Sequence, residues 1–113
     1  MKRTNVILAL ALFAGACASS RGKVTVINQS AEPIEALSLT VCEQKLELPN
    51  LAPGANSTWA YKVRNDCDYA MSVRFASGRQ LNRQLGYVTS GFKYEDELIV
   101  TGADVVIKRK STK

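Results

Sequence analysis

The run "YAMSVRF" at residues 69–75 constrains the fold of this chain more than any other feature. Tyr69, Met71, Val73 and Phe75 alternate there with small or polar residues. Successive side chains of a β-strand point to opposite faces, so a period of two indicates a strand with one buried face. A surface helix would instead repeat its apolar residues every three or four positions. The chain is therefore expected to build a sheet with one face in a core.

Similar but shorter runs follow one another along the chain, separated by turn motifs such as "NQSAEP", "LAPGAN", "RNDCD", "ASGR" and "TGAD". In one run, Leu81 and Leu85 suit a helical spacing of four as well as one strand face; we favour a strand, and the helix stays open. The whole pattern predicts an all-β fold, a small antiparallel β-sandwich of seven or eight short strands that ends in a hairpin around "TGA". The predicted strands are 23–28, 34–41, 45–50, 58–63, 69–75, 79–88, 96–100 and 104–109.

The N-terminus has the three-part pattern of a secretory signal. Lys2 and Arg3 precede the apolar run "VILALALF" at 6–13, and the small residues "AGACASS" follow it. A helix that spans a bilayer needs about 20 apolar residues, and this run is much shorter. We therefore expect the protein to be exported.

Two cleavage sites remain open within this signal. "ACA" fits ordinary cleavage after Ala18, which would remove Cys17. "AGAC" resembles a bacterial lipobox, and the resemblance implies cleavage before Cys17, a thioether-linked diacylglycerol and an acylated amino terminus. Several acyl chains on one residue give stable membrane anchoring. We favour the lipobox, which predicts a signal peptide at 1–16, a tether at 17–22, a β-sandwich at 23–107 and a basic tail at 108–113.

Similarity to enterobacterial lipoproteins also predicts the destination. Ala18 and Ser19 follow Cys17, and the absence of an aspartate there implies the outer membrane. We expect an envelope protein that is lipid-anchored there and faces the periplasm.

Cys42 and Cys67 remain as a pair once Cys17 is lipidated or removed. In an oxidising compartment such a pair is expected to form a disulfide. The alternative, a zinc site, lacks ligands because the chain has no histidine and two thiols cannot complete a tetrahedral shell. We predict a bridge between strand ends and neither a metal nor a cofactor.

The formal net charge of +5 comes from the two ends of the chain. Residues 18–107 hold nine basic and ten acidic side chains, so the folded body is nearly neutral. This argues against nucleic-acid binding, which requires positive charge on a face of the fold. We interpret 108–113 as a solvated terminus, with contact to anionic lipid or cell wall as the alternative. We expect one domain and a monomer.

The composition also argues against catalysis. Without histidine, the commonest general base is missing and no Ser–His or Cys–His nucleophile can form. The acidic groups in "NDCD" and "YEDE" are interpreted as solvated turns, with calcium as the alternative. We therefore expect a binding protein and not an enzyme.

One segment, "LGYVTSGFKYEDE" at 85–97, gathers aromatic side chains around a turn. Aromatic rings often anchor protein interfaces, although rings beside a turn can also pack back onto a sandwich. The candidate partner-binding residues are Tyr87, Ser90, Phe92, Lys93 and Tyr94.

Within this segment, "SGFKY" resembles the SGxxY element of the bacterial membrane-bound inhibitors of c-type lysozyme, which are small β-rich lipoproteins. The resemblance implies that Ser90 enters the lysozyme cleft together with a lysine that precedes a later glycine. Here Thr101 precedes Gly102, and that lysine is missing. The first half of the chain, with "NLAPG", is similar to small Ig-like or transthyretin-like domains of bacterial envelope proteins.

These observations predict an exported, lipid-anchored β-sandwich that binds a protein partner in the bacterial envelope, as an accessory subunit or a protective protein. An inhibitor of c-type lysozyme and a purely structural envelope lipoprotein are the alternatives.

Overall fold

The structure is a computed structural model, and it describes residues 20–112. Eight strands account for most of this part of the chain, and it contains no helix. The predicted all-β class is confirmed. The strands are β1 (Ser20–Asn28), β2 (Ile34–Val41), β3 (Gln44–Leu48), β4 (Asn56–Val63), β5 (Cys67–Phe75), β6 (Gln80–Val88), β7 (Lys93–Val100) and β8 (Val105–Thr112).

The strands form two four-stranded sheets that pack face to face. Sheet A has the order β4-β1-β7-β8, and sheet B has the order β3-β2-β5-β6. All neighbours are antiparallel except β1 and β7, which pair in parallel. This pair is the one parallel exception, within the described residues, in a sandwich that is otherwise antiparallel as predicted. Because five strands separate β1 from β7 in the chain, no hairpin fixes their relative direction.

The alternating residues of β5 face inward as predicted, and Tyr69, Val73 and Phe75 are completely buried. The opposite sheet contributes Val24 and Val26 from β1 and a run of apolar residues from β7. One continuous cluster of buried side chains thus joins the two sheets. Burial of such apolar surface is the main contribution to stability in a fold of this kind.

The strand prediction for 79–88 is confirmed, and β6 explains why the pattern was ambiguous. Cys67 pairs with Val88 and Tyr69 with Leu85, so β6 contains an extra residue at this point. Gly86 lies in this bulge with φ of 73°. The bulge turns Val88 inward beside Leu85, although the two residues have opposite parity.

The predicted disulfide between Cys42 and Cys67 is present, with a Cα–Cα distance of 5.4 Å. It joins the end of β2 to the start of β5 within sheet B, which agrees with a bridge between strand ends. Cys42 and Glu43 form a two-residue hairpin turn in which both have positive φ, 48° and 64°. Such a turn follows the right-handed twist of the strands, although asparagine and glycine usually occupy it.

Seven of the eight predicted strands have bounds that differ from those in the structure, by at most three residues at either end, and β7 begins at Lys93 instead of Asp96. β1 begins at Ser20, three residues before the predicted start at Lys23, because Arg21 and Gly22 pair with β4. β8 continues to Thr112, three residues beyond the predicted end at Arg109, so residues 108–112 belong to a strand and not to a solvated tail. Their pairing with β7 supplies the hydrogen bonds that a solvated terminus would lack. The proposed signal peptide and Cys17 lie outside the described residues.

Candidate functional site

The predicted partner-binding segment lies at the end of the sandwich where β1 begins. It includes the end of β6, the connection 89–92 and the start of β7. Tyr87 is 55% exposed, and Ser90 and Lys93 are also exposed. Phe92 packs partly against the core, and Tyr94 is only 5% exposed. The segment is therefore a surface with one buried member, and not a protruding aromatic loop.

Tyr94 supports this connection from below. The backbone N–H of Thr89 donates a hydrogen bond to the Tyr94 hydroxyl at 3.0 Å. The Arg109 guanidinium lies 4.7 Å from the centre of the Tyr94 ring, a cation–π distance. The Phe92 ring lies 6.1 Å from that of Tyr94. Burial of Tyr94 removes it from the surface that a partner could contact.

A buried polar network lies beneath the same end of the sandwich. Asp96 has a completely buried side chain and accepts two hydrogen bonds from Arg109, both at 2.9 Å. The Tyr69 hydroxyl donates to the same carboxylate at 2.6 Å. The Tyr61 hydroxyl lies 2.6 Å from that of Tyr69. Because the Tyr69 proton is directed to Asp96, Tyr61 donates to Tyr69.

The network links the two sheets, since Tyr69 belongs to β5 and the other three residues belong to sheet A. Arg109 also donates to the backbone carbonyl of Tyr87 at 2.6 Å, which ties the edge strands β8 and β6 together. A bidentate arginine–carboxylate pair is among the stronger polar contacts in proteins. No motif in the sequence indicates this network as a whole. Its signal was the acidic Asp96 at an inward position between Tyr94 and Leu98.

The electrostatics of the network favour a structural role. Burial, with smaller contributions from its hydrogen bonds to Asp96 and Tyr61, raises the pKa of Tyr69 far above its usual value. Burial raises the pKa of Tyr61 to about 12. The hydrogen bond to Asp96 raises the pKa of Arg109. At neutral pH the tyrosines are therefore protonated and Arg109 is charged, and the Asp96 side chain has no contact with solvent.

The outer face of sheet B carries an open groove of about 540 Å³. Ser38 and Ser72 are cross-strand partners at its floor, and their small side chains leave a depression along β2 and β5. Glu47 forms part of one side, and Arg74 and Gln80 form part of the other. Hydroxyls, carbonyl-bearing side chains and both signs of charge thus surround one groove.

The outer face of sheet A differs in charge. Arg21 pairs directly with Lys62 across β1 and β4. Lys93 immediately precedes Tyr94, the partner of Gly22, so it lies beside Arg21 on the other side of β1. All three cations are exposed. They form a row, named here the cation row, at the end where β1 begins.

The two elements of the lysozyme-inhibitor resemblance lie far apart. Ser90 precedes β7 and Thr101 follows it, so the eight residues of that strand separate them. At about 3.3 Å per residue, the separation is roughly 25 Å. This arrangement places the elements at opposite ends of the sandwich, which does not favour their joint entry into one cleft.

Neither metal sites nor membrane helices were found in the part of the chain that the structure describes. No group of three or more Cys, Asp or Glu side chains within residues 20–112 is arranged to hold a metal ion. Over the same residues, no helix is long and apolar enough to cross a membrane.

No protein-family model and no curated protein matches the chain. Solved structures share its fold. A protein from Eubacterium rectale, determined by NMR, has a TM-score of 0.54 and 13% identity, over 78% of this chain and 86% of that one. A "putative cell adhesion protein" from Bacteroides ovatus has a TM-score of 0.54 and 9% identity, over 82% of this chain and 45% of that one.

A protein from Bacteroides uniformis with the same description has a TM-score of 0.51 and 9% identity, over 82% of this chain and 50% of that one. This chain therefore spans about half the length of each Bacteroides protein. At these identities the likeness establishes a shared fold and no shared activity.

Proposed function

We propose that this protein is an exported, lipid-anchored module that binds a protein partner in the bacterial envelope and does not act as an enzyme. The observation that carries the proposal is the groove on the outer face of sheet B. The outer face of a sheet usually carries side chains that fill the space above the backbone. Here Ser38 and Ser72 leave that space open between longer neighbours.

The groove suits an extended segment of polypeptide. Ser38 is half-buried and Ser72 is exposed, and the hydroxyls of both can bond to a backbone. Glu47 and Arg74 add charges of opposite sign at the sides of the groove, where each already has an ion-pair partner within sheet B. An extended chain in such a groove would be recognised by polar contacts along its length. The described cell adhesion role of two proteins of the same fold is consistent with a binding module.

Export and anchoring rest on the signal pattern, on the lipobox resemblance at Cys17 and on the disulfide. Disulfides persist in oxidising compartments such as the periplasm. We propose the outer membrane, with the domain on its periplasmic side. Palmitate labelling of the wild type beside Cys17→Ser tests the anchor, and label on both proteins or on neither would contradict it.

Site-specific photo-crosslinking in cells tests the binding surface. A crosslinker at Gln80, which lines the groove, is expected to capture a discrete protein. A crosslinker at the exposed Ala60 on sheet A is the control. Ser72→Trp should fill the groove and abolish the Gln80 product, whereas Thr58→Trp on the outer face of sheet A should preserve it.

Unchanged melting temperatures for both tryptophan variants would show that they fold. Capture that is equal at Gln80 and Ala60, or that survives Ser72→Trp, would refute the groove as the binding surface. Absence of any product would favour the purely structural lipoprotein.

A further inference from the structure

We infer that the cation row contacts anionic lipid headgroups, so that the outer face of sheet A lies towards the membrane and the groove of sheet B faces away from it. The inference rests on the proposed lipid anchor at Cys17. It goes further by assigning a second binding surface and an orientation.

The cation row lowers the stability of the sheet that carries it. Like charges directly opposite each other on neighbouring strands destabilise a sheet. Arg21 and Lys62 are such a pair, with Lys93 beside them. Among the described residues, none of these three side chains forms an ion pair within 4.0 Å. An anionic surface would offset this repulsion.

Several other exposed cations have an acidic side chain within 4.0 Å. Lys23, one row further from this end, lies 4.0 Å from Glu95. At the opposite end, Arg79 lies 3.2 Å from Glu32, and Arg74 lies 3.0 Å from Glu35.

By the same criterion Arg64, Lys108 and Lys110 also form no ion pair within residues 20–112. However, Lys108 and Lys110 lie opposite the carboxylates Glu97 and Glu95 in the register of β7 and β8. The cation row differs because Arg21 has a cation as its direct cross-strand partner.

Only a short stretch of chain separates the sandwich from the proposed anchor. Cys17 precedes Ser20, the first residue of β1, by three positions. Three residues span at most about 11 Å, even when fully extended. A lipidated Cys17 would therefore hold this end of the sandwich beside the headgroups. Physiological salt screens charges over about 8 Å, so the row must lie this close to interact.

Charge is distributed unequally between the two outer faces of the sandwich. Within residues 20–112, the outer face of sheet A presents six exposed cations and two exposed carboxylates, which are Arg21, Lys23, Lys62, Lys93, Lys108, Lys110, Glu95 and Glu97. The acidic side chains at the same end, Glu43, Asp66 and Asp68, belong to sheet B or its connections. This excess of positive charge would orient the outer face of sheet A towards an anionic membrane.

The predicted partner-binding segment at 85–97 also includes a residue type that is common at membrane surfaces. Tyr87 is exposed at this end, and tyrosine is favoured at the interface between membrane and water. A side-chain hydrogen bond with Asp66 raises the pKa of Tyr87, so it stays protonated at neutral pH. Tyr87 would therefore add no negative charge at the end of the sandwich that lies towards the headgroups.

Lysine labelling of the lipidated protein in vesicles tests the orientation. Vesicles of phosphatidylethanolamine are compared with vesicles that also contain phosphatidylglycerol, and modification by an amine-reactive reagent is measured by mass spectrometry. Each lipid-bound cation contributes about a fivefold change in equilibrium near an anionic surface. Lys62 and Lys93 should therefore react about fivefold more slowly in the anionic vesicles, and high salt should abolish the difference.

Lys45, on the edge strand β3 of sheet B, serves as the internal control and should keep its rate. Equal protection of Lys45, or no protection of Lys62 and Lys93, would overturn the inference. Loss of partner crosslinking at Gln80 is a separate result, so the groove and the membrane surface can fail independently.

Binding of a protein without the lipid anchor to anionic vesicles tests the cation row separately from lipidation. A Cys17→Ser chain that carries the cation row should float with anionic vesicles at low salt. Arg21→Gln, Lys62→Gln and Lys93→Gln together should weaken this partitioning on the order of a hundredfold. A control with the same change in charge replaces Arg74, Arg79 and Arg83 by glutamine. An equal loss in the control would refute a specific role for the row.

Discussion

Replacement of Asp96 by asparagine tests the buried network directly. The change keeps the volume of the side chain but removes its charge, which leaves the Arg109 guanidinium without its counter-ion. Tyr69 can still donate to the amide oxygen of asparagine, so the main loss is the bidentate pair. The variant therefore isolates the ionic contribution within an unchanged fold.

The expected cost follows from the burial of the two partners. Removal of one partner from a buried ion pair typically costs about 3–5 kcal/mol. The Asp96 side chain is 0% exposed, but that of Arg109 is 29% exposed, so water can partly solvate the remaining charge. We expect a cost near the lower limit, about 3 kcal/mol. For a domain of this size, that lowers the melting temperature by roughly 12–24 °C.

Urea unfolding followed by the fluorescence of Trp59, the only tryptophan, measures this cost with the disulfide intact. Asp68→Asn is the matched control, because Asp68 is exposed on the same domain. It should change the free energy of unfolding by less than about 0.5 kcal/mol. A loss below about 1 kcal/mol for Asp96→Asn, with an unchanged m-value, would show that the pair does not stabilise the end of the sandwich as argued.

Four further outcomes are expected in the same assay. Replacement of Cys42 and Cys67 by serine opens a loop with a sequence separation of 25 and should cost about 3 kcal/mol; a cost below about 1 kcal/mol would contradict the chain-entropy argument. Glu43→Gly should stabilise the protein by up to about 1 kcal/mol, because glycine adopts the φ of 64° without strain. Gly22→Ala should destabilise it by about 1–3 kcal/mol, since the added Cβ would overlap the Tyr61 ring, and an unchanged stability would refute that contact. Folding raises the pKa of Tyr61 from about 10 to about 12, so its contribution is complete below pH 10 and is lost as the pH rises towards 12; Tyr61→Phe should flatten this alkaline loss, and an equal slope would contradict it.

The positions of the strands were largely predictable because each run repeats with the period of a half-buried strand. β5 shows this most clearly, and its inward residues are those that the alternation predicts. The parallel pairing of β1 with β7 was not predictable from any run. It depends on which strands meet in the folded sheet, and the residues that decide this lie about 70 positions apart in sequence.

The buried network was missed although the sequence contained both halves of its ion pair. The hairpin around "TGA" was predicted, and its register follows once Val100 is placed opposite Val105. Counting back along both strands then places Asp96 opposite Arg109. The predicted strand 104–109 already ends at Arg109, but the interpretation of 108–113 as a solvated terminus left its guanidinium in water and without a buried partner. The two tyrosines come from strands that no local pattern connects to β7.

The end of the sandwich where β1 begins contains features that destabilise the fold as well as contacts that stabilise it. The cation row places like charges side by side, and the turn at Cys42 and Glu43 holds two non-glycine residues at positive φ. The disulfide and the Asp96–Arg109 pair lie at this end as well. A sandwich selected for stability alone would need neither the repulsion nor the strain. The disulfide and the Asp96–Arg109 pair offset these two destabilising features and hold the end of the sandwich rigid. Such an arrangement is expected where a surface must stay both charged and rigid in order to bind. A short tether to an anionic membrane would impose this requirement.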